Sequence, residues 1–295
     1  MLHRRHCPLC GSEAIENFKK GTIRIEDLGP QDFKITDSRY GSSWDFTICR
    51  SCRFVFANPV LPPEEIARFY SNLEDGEYAQ EAAGRAKNFA TILKRLERID
   101  APSRELLDVG AASGIFMDLA RRQGYKVAGI EPSAFLVEEA KRLYGLDLFC
   151  GTIDQFPADR TFSVILLLDI LEHLVDVEPF MKRIDDLIKP GGILVVVTPD
   201  ISSLPARILR KRWWHLRTAH VNFFNHDSLG RLLDVHGYDI VRRAHYAWNF
   251  SLYYLLSRRF QRLKRSTSLQ SNLKNINLRL QLFDSLEIYA RKRQN

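Results

Sequence analysis

The 295-residue chain lacks a long apolar run. A membrane-spanning helix needs about 18 or more consecutive apolar residues, and the nearest candidate, "VILLLDIL", is broken by Asp169. The amino-terminal "MLHRRHC" is basic with no apolar stretch behind it, so no secretory leader is expected. Internal repeats and low-complexity tracts are missing too. These absences point to a cytoplasmic, reducing location. The hydrophobic fraction of 45% and the charged fraction of 27% suit an ordinary globular protein, long enough for one large or two small domains.

Cysteine is scarce, five in all, yet four are paired by spacing. "CPLCG" supplies Cys7 and Cys10, and "CRSC" supplies Cys49 and Cys52. Two C-x-x-C pairs offer the four thiolates that tetrahedral Zn(II) takes, and Gly11 suits the turn of such a knuckle. A redox pair would sit between a strand and a helix, and neither pair does, so a structural zinc is expected. Cys150 ends an apolar segment and reads as core. Net charge is +7, and between residues 250 and 295 ten Lys and Arg stand against Asp284 and Glu287. That surplus suits an anionic partner (a phosphorylated metabolite, a nucleic acid or an acidic membrane surface) or simply a solvated helix face.

Residues 1–60 read as a zinc-ribbon module with short strands at "TIRIEDL", "DFKITD" and "WDFTICR". Residues 61–102 read as a helical linker or lid. Its first helix starts at Pro62 and Pro63 with Glu64 and Glu65 in the first turn, and its second spans 82–99. From residue 103 to 295 the pattern is α/β. "ELLDVG", "KVAGIE", "LDLFCG", "FSVILLLD" and "GILVVVT" are strands, with helices "GIFMDLARRQG" and "SAFLVEEAKRLYG" between the first three. Near-continuous apolar strands predict a doubly wound, mostly parallel Rossmann-like sheet with its ligand at the carboxyl ends of the strands. Beyond Asp200 the chain predicts a basic aromatic helix at "ARILRKRWWHL", a helix at "HDSLGRLLDVHG", strands at "YDIVRRAHY" and "SLEIYARK", and a basic C-terminal insertion.

The turn in "LLDVGAASGIF" lacks the Lys and hydroxyl of a phosphate loop, since Gly114 is followed by Ile115. Read as a dinucleotide turn from Gly110, it places Ala112 and the β-branched Ile115 at the second and third glycine positions, which opposes close helix–strand packing. Glu131 ends the second strand, placed to accept both hydroxyls of a ribose, and so indicates an adenosyl ligand. The ordered set "LLDVGAASG", "GIEPS", "GTIDQF", "LLLDILEHL" and "LIKPGGILVVVTP" resembles the class I S-adenosylmethionine (SAM) methyltransferase family over roughly residues 105–200. The resemblance implies that Asp108, Gly110, Ala112, Ser113 and Gly114 lie beside the methionyl part of SAM. It implies that Glu131, followed by Pro132, holds the ribose, and that Thr152 and Ile153 flank the adenine. Asp169 and His173 would open the loop over the sulfonium, with Tyr78 as an aromatic lid. The structural alternatives are a turn role for Asp108, a helix cap for Glu131 and an Asp169–His173 pair.

The four-cysteine ribbon and "FANPVLPPEEIARFYSNLEDGEY" ahead of this fold resemble the methyltransferases of bacterial sugar and polysaccharide biosynthesis. The resemblance implies a SAM-dependent enzyme acting on a sugar, a nucleotide-sugar or a related small metabolite. Members that methylate carbon carry a further C-terminal domain, whereas this chain ends at Asn295, which favours oxygen. A hydroxyl acceptor needs a general base, and His220 and His173 are the candidates. His226 adjoins a helix start. Two rival functions are an RNA or DNA methyltransferase, although the N-P-P-[FY] loop is missing, and a non-enzymatic adapter docking a partner or membrane through "SLYYLLSRRFQRLKRS".

Overall fold

The computed structural model describes residues 2–34, 42–74, 82–259, 273 and 276–294. The amino-terminal part holds β1 (Ile15–Lys19), β2 (Phe46–Cys49) and β3 (Val55–Ala57), followed by α1 (Pro63–Ser71) and α2 (Ala82–Leu96). The segment "TIRIEDL" is not a strand: Ile25–Asp27 and Pro30–Phe33 are 3₁₀ turns, and the Gly29 N–H donates to the Asp32 carboxylate. Spaced as they are, Ile25, Leu28 and Phe33 all reach one apolar cluster from a compact turn, which an extended strand would not allow.

The αβ part then runs β4 (Glu105–Val109), α3 (Ile115–Arg122), β5 (Lys126–Glu131), α4 (Ala134–Tyr144), β6 (Phe149–Cys150), β7 (Phe162–Leu168), α5 (Val177–Leu187) and β8 (Ile188–Pro199). It continues through α6 (Leu204–Leu209), β9 (Asn222–Phe223), α7 (His226–Val235), β10 (Tyr238–His245), β11 (Trp248–Ser251), α8 (Leu252–Arg259), β12 (Asn277–Leu280) and β13 (Ser285–Lys292). Seven strands form one sheet in the order β10-β13-β8-β7-β4-β5-β6. The five from β8 to β6 are parallel, and β13 inserts antiparallel between β8 and β10.

The apolar run of β7 is buried on both faces because helices cover both. Ile92, Leu93 and Leu96 of α2 join Phe116 and Ala120 of α3 on one side. Val177, Ile184 and Leu187 of α5 join Leu229, Leu232 and Leu233 of α7 on the other. Strand order reverses between β4 and β7, so their carboxyl ends splay apart and leave the crevice in which such sheets bind ligands.

Packing crosses the chain position near residue 60. β9 adds antiparallel to β3, so a strand from beyond the parallel sheet completes the amino-terminal one. The buried Arg5 guanidinium donates to the carbonyls of Ala57, Val175 and Val221 and to Asn222 Oδ1. Trp44 Nε1 donates to the Thr218 carbonyl at 2.7 Å, and Arg217 donates to Lys34 O. Residues 213–223 are therefore clamped between the cysteine module and the parallel sheet.

Two further expectations need correction. The helix in "ARILRKRWWHL" ends at Leu209, because Arg210 turns to φ +48° and the next residues form a 3₁₀ turn. Cys150 is exposed at the edge strand rather than buried. His226 does adjoin a helix start: it is the first helical residue of α7, whose cap is Asn225, the Asn225 side chain accepting from Ser228 N. Among the described residues no helix is long and apolar enough to cross a membrane.

Candidate functional site

The turn after β4 has three residues at positive φ: Gly110 (+74°), Ala112 (+47°) and Gly114 (+77°). A Cβ at Gly110 would fall 2.3 Å from Ile170 Cδ1, so only glycine lets this turn lie against the loop after β7. A Cβ at Gly114 would meet Leu146 Cδ1 at 2.8 Å, which fixes how closely α3 packs on the next unit. Glu131, at the end of β5, ties the turn down. Its Oε2 accepts from Ala112 N and its Oε1 from Ser133 N, both at 2.9 Å. The following helix is capped by Ser133, whose hydroxyl accepts from Leu136 N, so the Glu131 carboxylate serves as the anchor, and each of its oxygens keeps a lone pair for a further donor.

Burial raises Glu131 to about 7, against the pull of the Ser133 and Ala112 N–H groups. Burial, and then the Glu131 charge, raises Asp108 to about 7 as well. The Ser113 hydroxyl beside them is buried with no partner. Two uneasy carboxyls, an orphan hydroxyl and a glycine cradle at the end of β4 fit a cationic, diol-bearing ligand such as SAM. Pro132 is half-buried between Glu131 and Ser133. Thr152 caps a 3₁₀ turn through Gln155, the Ile153 side chain packs into the core, and the Ile153 carbonyl accepts from Arg183 Nε and Phe156 N. Tyr78 lies outside the described residues.

The loop after β7 supplies the second half of the site. Asp169 sits at φ +57°, a conformation that a non-glycine residue adopts only when the surroundings impose it. Burial lifts its carboxyl to about 6, opposed by the charges of His215, Arg85 and Arg217. The following turn, Leu171–His173, is stitched to residues 213–223: Val221 N donates to Glu172 O at 2.7 Å, and Asn222 Nδ2 donates to Leu171 O. That stitching brings His173 and His220 together, ring centroids 4.9 Å apart.

His173 Nδ1 lies 2.8 Å from Ala219 O and 2.7 Å from the Tyr70 hydroxyl. A carbonyl only accepts, so the proton is on Nδ1 and Nε2 keeps the lone pair. Burial, against the Ala219 carbonyl, holds His173 down at about 4. His220 Nδ1 is buried without a partner. Burial first, then the charges of His173 and Arg217, push His220 well below its ordinary value. Glu172 Oε2 accepts from the Thr198 hydroxyl at 2.9 Å, while Oε1 is buried without a partner. Burial and the Asp169 charge raise Glu172 far above the usual carboxylate range. One oxygen of Glu172 and one nitrogen each of His173 and His220 lie within 4.8 Å of one another, close enough to meet on one cation.

Behind them His215 Nε2 stands 3.2 Å from Asp284 Oδ2, a fully buried acid, and the His215 ring stacks on His220. Glu172, His215, Asp284 and Tyr70 escape the sequence reading. Glu172 and His215 adjoin quoted histidines, whereas Asp284 and Tyr70 carry no local signal. The Asp169–His173 pairing weighed as an alternative is not seen, because the ring of His173 is held by Tyr70 and Ala219.

The four paired cysteines converge. Cys7 Sγ lies 3.5 Å from Cys52 Sγ, Cys10 Sγ lies 3.6 Å from Cys49 Sγ, and all four sulfurs fall within 4.8 Å of one another. A tetrahedron with Zn–S of about 2.3 Å has sulfur–sulfur edges of about 3.8 Å, so the cluster has the size a metal needs.

A family model described as a methyltransferase domain matches residues 78–243. The ubiquinone biosynthesis O-methyltransferase of Bradyrhizobium sp. (strain ORS 278) is 33% identical over 98 residues, covering 32% of this chain and 39% of that protein. The protein of the same description from Nitrobacter winogradskyi is 32% identical over 151 residues, 47% of this chain and 58% of its own length. The chain thus spans about two-fifths to three-fifths of these relatives. A SAM-dependent methyltransferase from Archaeoglobus fulgidus shares the fold, with a TM-score of 0.50 at 16% identity over 74% of this chain and 100% of that one. The matched family region exceeds half of the chain and contains the glycine turn, Glu131 and both histidines: the chain belongs to the family of methyltransferase domains.

Proposed function

We propose that the protein transfers a methyl group from SAM to a hydroxyl of a small-molecule acceptor, with His220 as the general base. The observation that carries the reading is the bare, buried Nδ1 of His220 beside His173 and Glu172, on a segment held against the loop after β7. Bound SAM supplies the electrophilic methyl. Asp108, Ser113 and the turn from Gly110 to Gly114 hold its methionyl part, Glu131 its ribose, and Thr152 and Ile153 border its adenine. The chain's remaining task is to orient the acceptor oxygen and take its proton.

A histidine held neutral by burial is ready to accept a proton at physiological pH, but a low basicity makes it weak alone. Glu172 lies within 4.8 Å of both rings, where an imidazolium forming beside it would favour the ionised carboxylate and be offset by it. Tyr70 and Ala219 fix the His173 ring, so that its bare Nε2 serves as a relay or as the substitute base. The Cys7, Cys10, Cys49 and Cys52 cluster holds a structural zinc, closed by four thiolates, which keeps the module against residues 213–223.

The sequence resemblance favours a sugar or nucleotide-sugar hydroxyl. The relatives' names favour a hydroxyl on a quinone precursor, and the aromatic surroundings of the histidines (Tyr70, Trp213, Trp248 and Phe223) suit a planar ring. Incubation with methyl-labelled SAM and a panel of nucleotide-sugars and phenols, read as a one-methyl mass gain, tests the function. Label transfer to neither class, in protein that binds S-adenosylhomocysteine, would contradict it.

A further inference from the structure

We propose that residues 204–212 form a foot that seats this protein on an anionic lipid bilayer. The proposal rests on the reading above in one respect: the foot runs directly into the segment carrying His220, so a lipid-borne acceptor would enter there.

α6 is short and rooted on one side only. Ala206 and Leu209 pack into the apolar cluster with Trp213, Leu216 and Ala219. On its outer side Leu204 and Ile208, one turn apart, are 66% and 67% exposed. Arg207 lies between them, and Arg210, Lys211 and Arg212 follow in a tight turn, all exposed. None of these four cations has an ion pair with an acid among the described residues. The reason is in the sequence, which has no Asp or Glu from residue 201 to residue 226. Elsewhere on this surface cations do find acids: Arg121 and Arg122 meet Asp118, Arg142 meets Glu139, and Arg293 meets Asp234 and Asp239.

The combination selects the occupant. A nucleic acid answers the four cations, but it gains nothing from two exposed aliphatic side chains. A bilayer interface answers both, taking the aliphatic chains among the acyl ends and pairing the cations with lipid phosphates. Trp213, fully buried behind the turn, anchors the foot to the body of the protein.

The test is co-sedimentation of the full chain with vesicles of phosphatidylcholine alone and of phosphatidylcholine mixed with phosphatidylglycerol. Binding to the mixed vesicles only is expected, weakening as salt rises. Each cation near an anionic surface contributes about fivefold, so the triple change Arg210→Gln, Lys211→Gln, Arg212→Gln should weaken binding about 100-fold. The basic C-terminal segment could hold vesicles by charge alone, which makes the uncharged pair Leu204→Ser, Ile208→Ser decisive. That variant keeps every charge and should lose about tenfold or more. Undiminished vesicle binding in the serine variant would overturn the proposal. So would tighter binding of a single-stranded RNA oligonucleotide that the glutamine variant loses and the serine variant keeps. Binding of S-adenosylhomocysteine, measured without vesicles, should be unchanged in both variants. Its absence from the wild-type protein would count against the methyltransferase reading and leave the vesicle result standing.

Discussion

The imidazoles of His173 and His220 meet edge to face at 83°, the Nδ1 of His173 against the Ala219 carbonyl and the Nδ1 of His220 buried without a partner. Burial holds both rings below the ordinary histidine value, so both are neutral near pH 7. Glu172 stands beside them with an unpartnered oxygen. An arrangement that leaves two buried polar atoms unsatisfied, His220 Nδ1 and Glu172 Oε1, costs stability, and such costs persist where a site needs them.

The ribose assignment makes the first prediction. Replacing Glu131 by Ala removes a charge-assisted pair of acceptors and should weaken S-adenosylhomocysteine binding by about 2–3 kcal/mol. Titration calorimetry reads this directly. Affinity unchanged in the variant would remove Glu131 from the site.

Asp108 offers a test that runs the other way on stability. Its folded value, near 7, lies above the usual carboxylate value, so its effect favours folding below pH 4 and turns into a cost as pH rises through 7. Asp108→Asn should raise the melting temperature of the ligand-free protein by about 2 °C or more at pH 8 and have little effect at pH 4, while weakening cofactor binding. A melting-temperature gain of the same size at both pH values would refute this electrostatic origin.

The cysteine cluster predicts one zinc per chain in protein purified without chelator. Elemental analysis finding none would count against it. Cys49→Ser should lose the ion and loosen the module, and with it the hydrogen bond from Trp44 to Thr218 that supports the His220 segment.

At the other side of the sheet His236 Nδ1 donates to Asp185 at 2.7 Å, its Nε2 lies 3.1 Å from Glu178 Oε2, and the Asp185 bond is the main cause that raises its affinity for a proton. A raised histidine contributes stability below its unfolded value, near 6.5, and loses that contribution as pH rises through its folded value. His236→Gln should therefore cost on the order of 1 kcal/mol at pH 6 and much less at pH 9, read by denaturant melts.

The parallel sheet was legible because buried parallel strands need continuous apolar runs, and the turn was legible because Gly110 and Gly114 stand where a Cβ cannot. The two cysteine pairs could be recognised from spacing alone. What stayed hidden was made by chain crossings. β9 is two residues long, Asn222 and Phe223, and no periodicity marks so short a strand, yet it completes the amino-terminal sheet and sets His220 against His173. Asp284 and Tyr70 look like ordinary turn and helix residues, and they enter the site only because β13 and α1 dock there. The helix drawn through Arg210 failed for a local reason: a run of cations without acids lacks the side-chain pairs that would extend it.

The most direct test of the account is the turnover of His220→Ala on the acceptor that takes the methyl group, measured beside its affinity for S-adenosylhomocysteine. A positioned base contributes about 10²–10⁴-fold in rate, so turnover should fall on that scale while the affinity stays within a few-fold. The lost rate should exceed that of His173→Ala, the relay of the proposed mechanism. Near wild-type turnover in His220→Ala, with the cofactor affinity intact, would contradict the account.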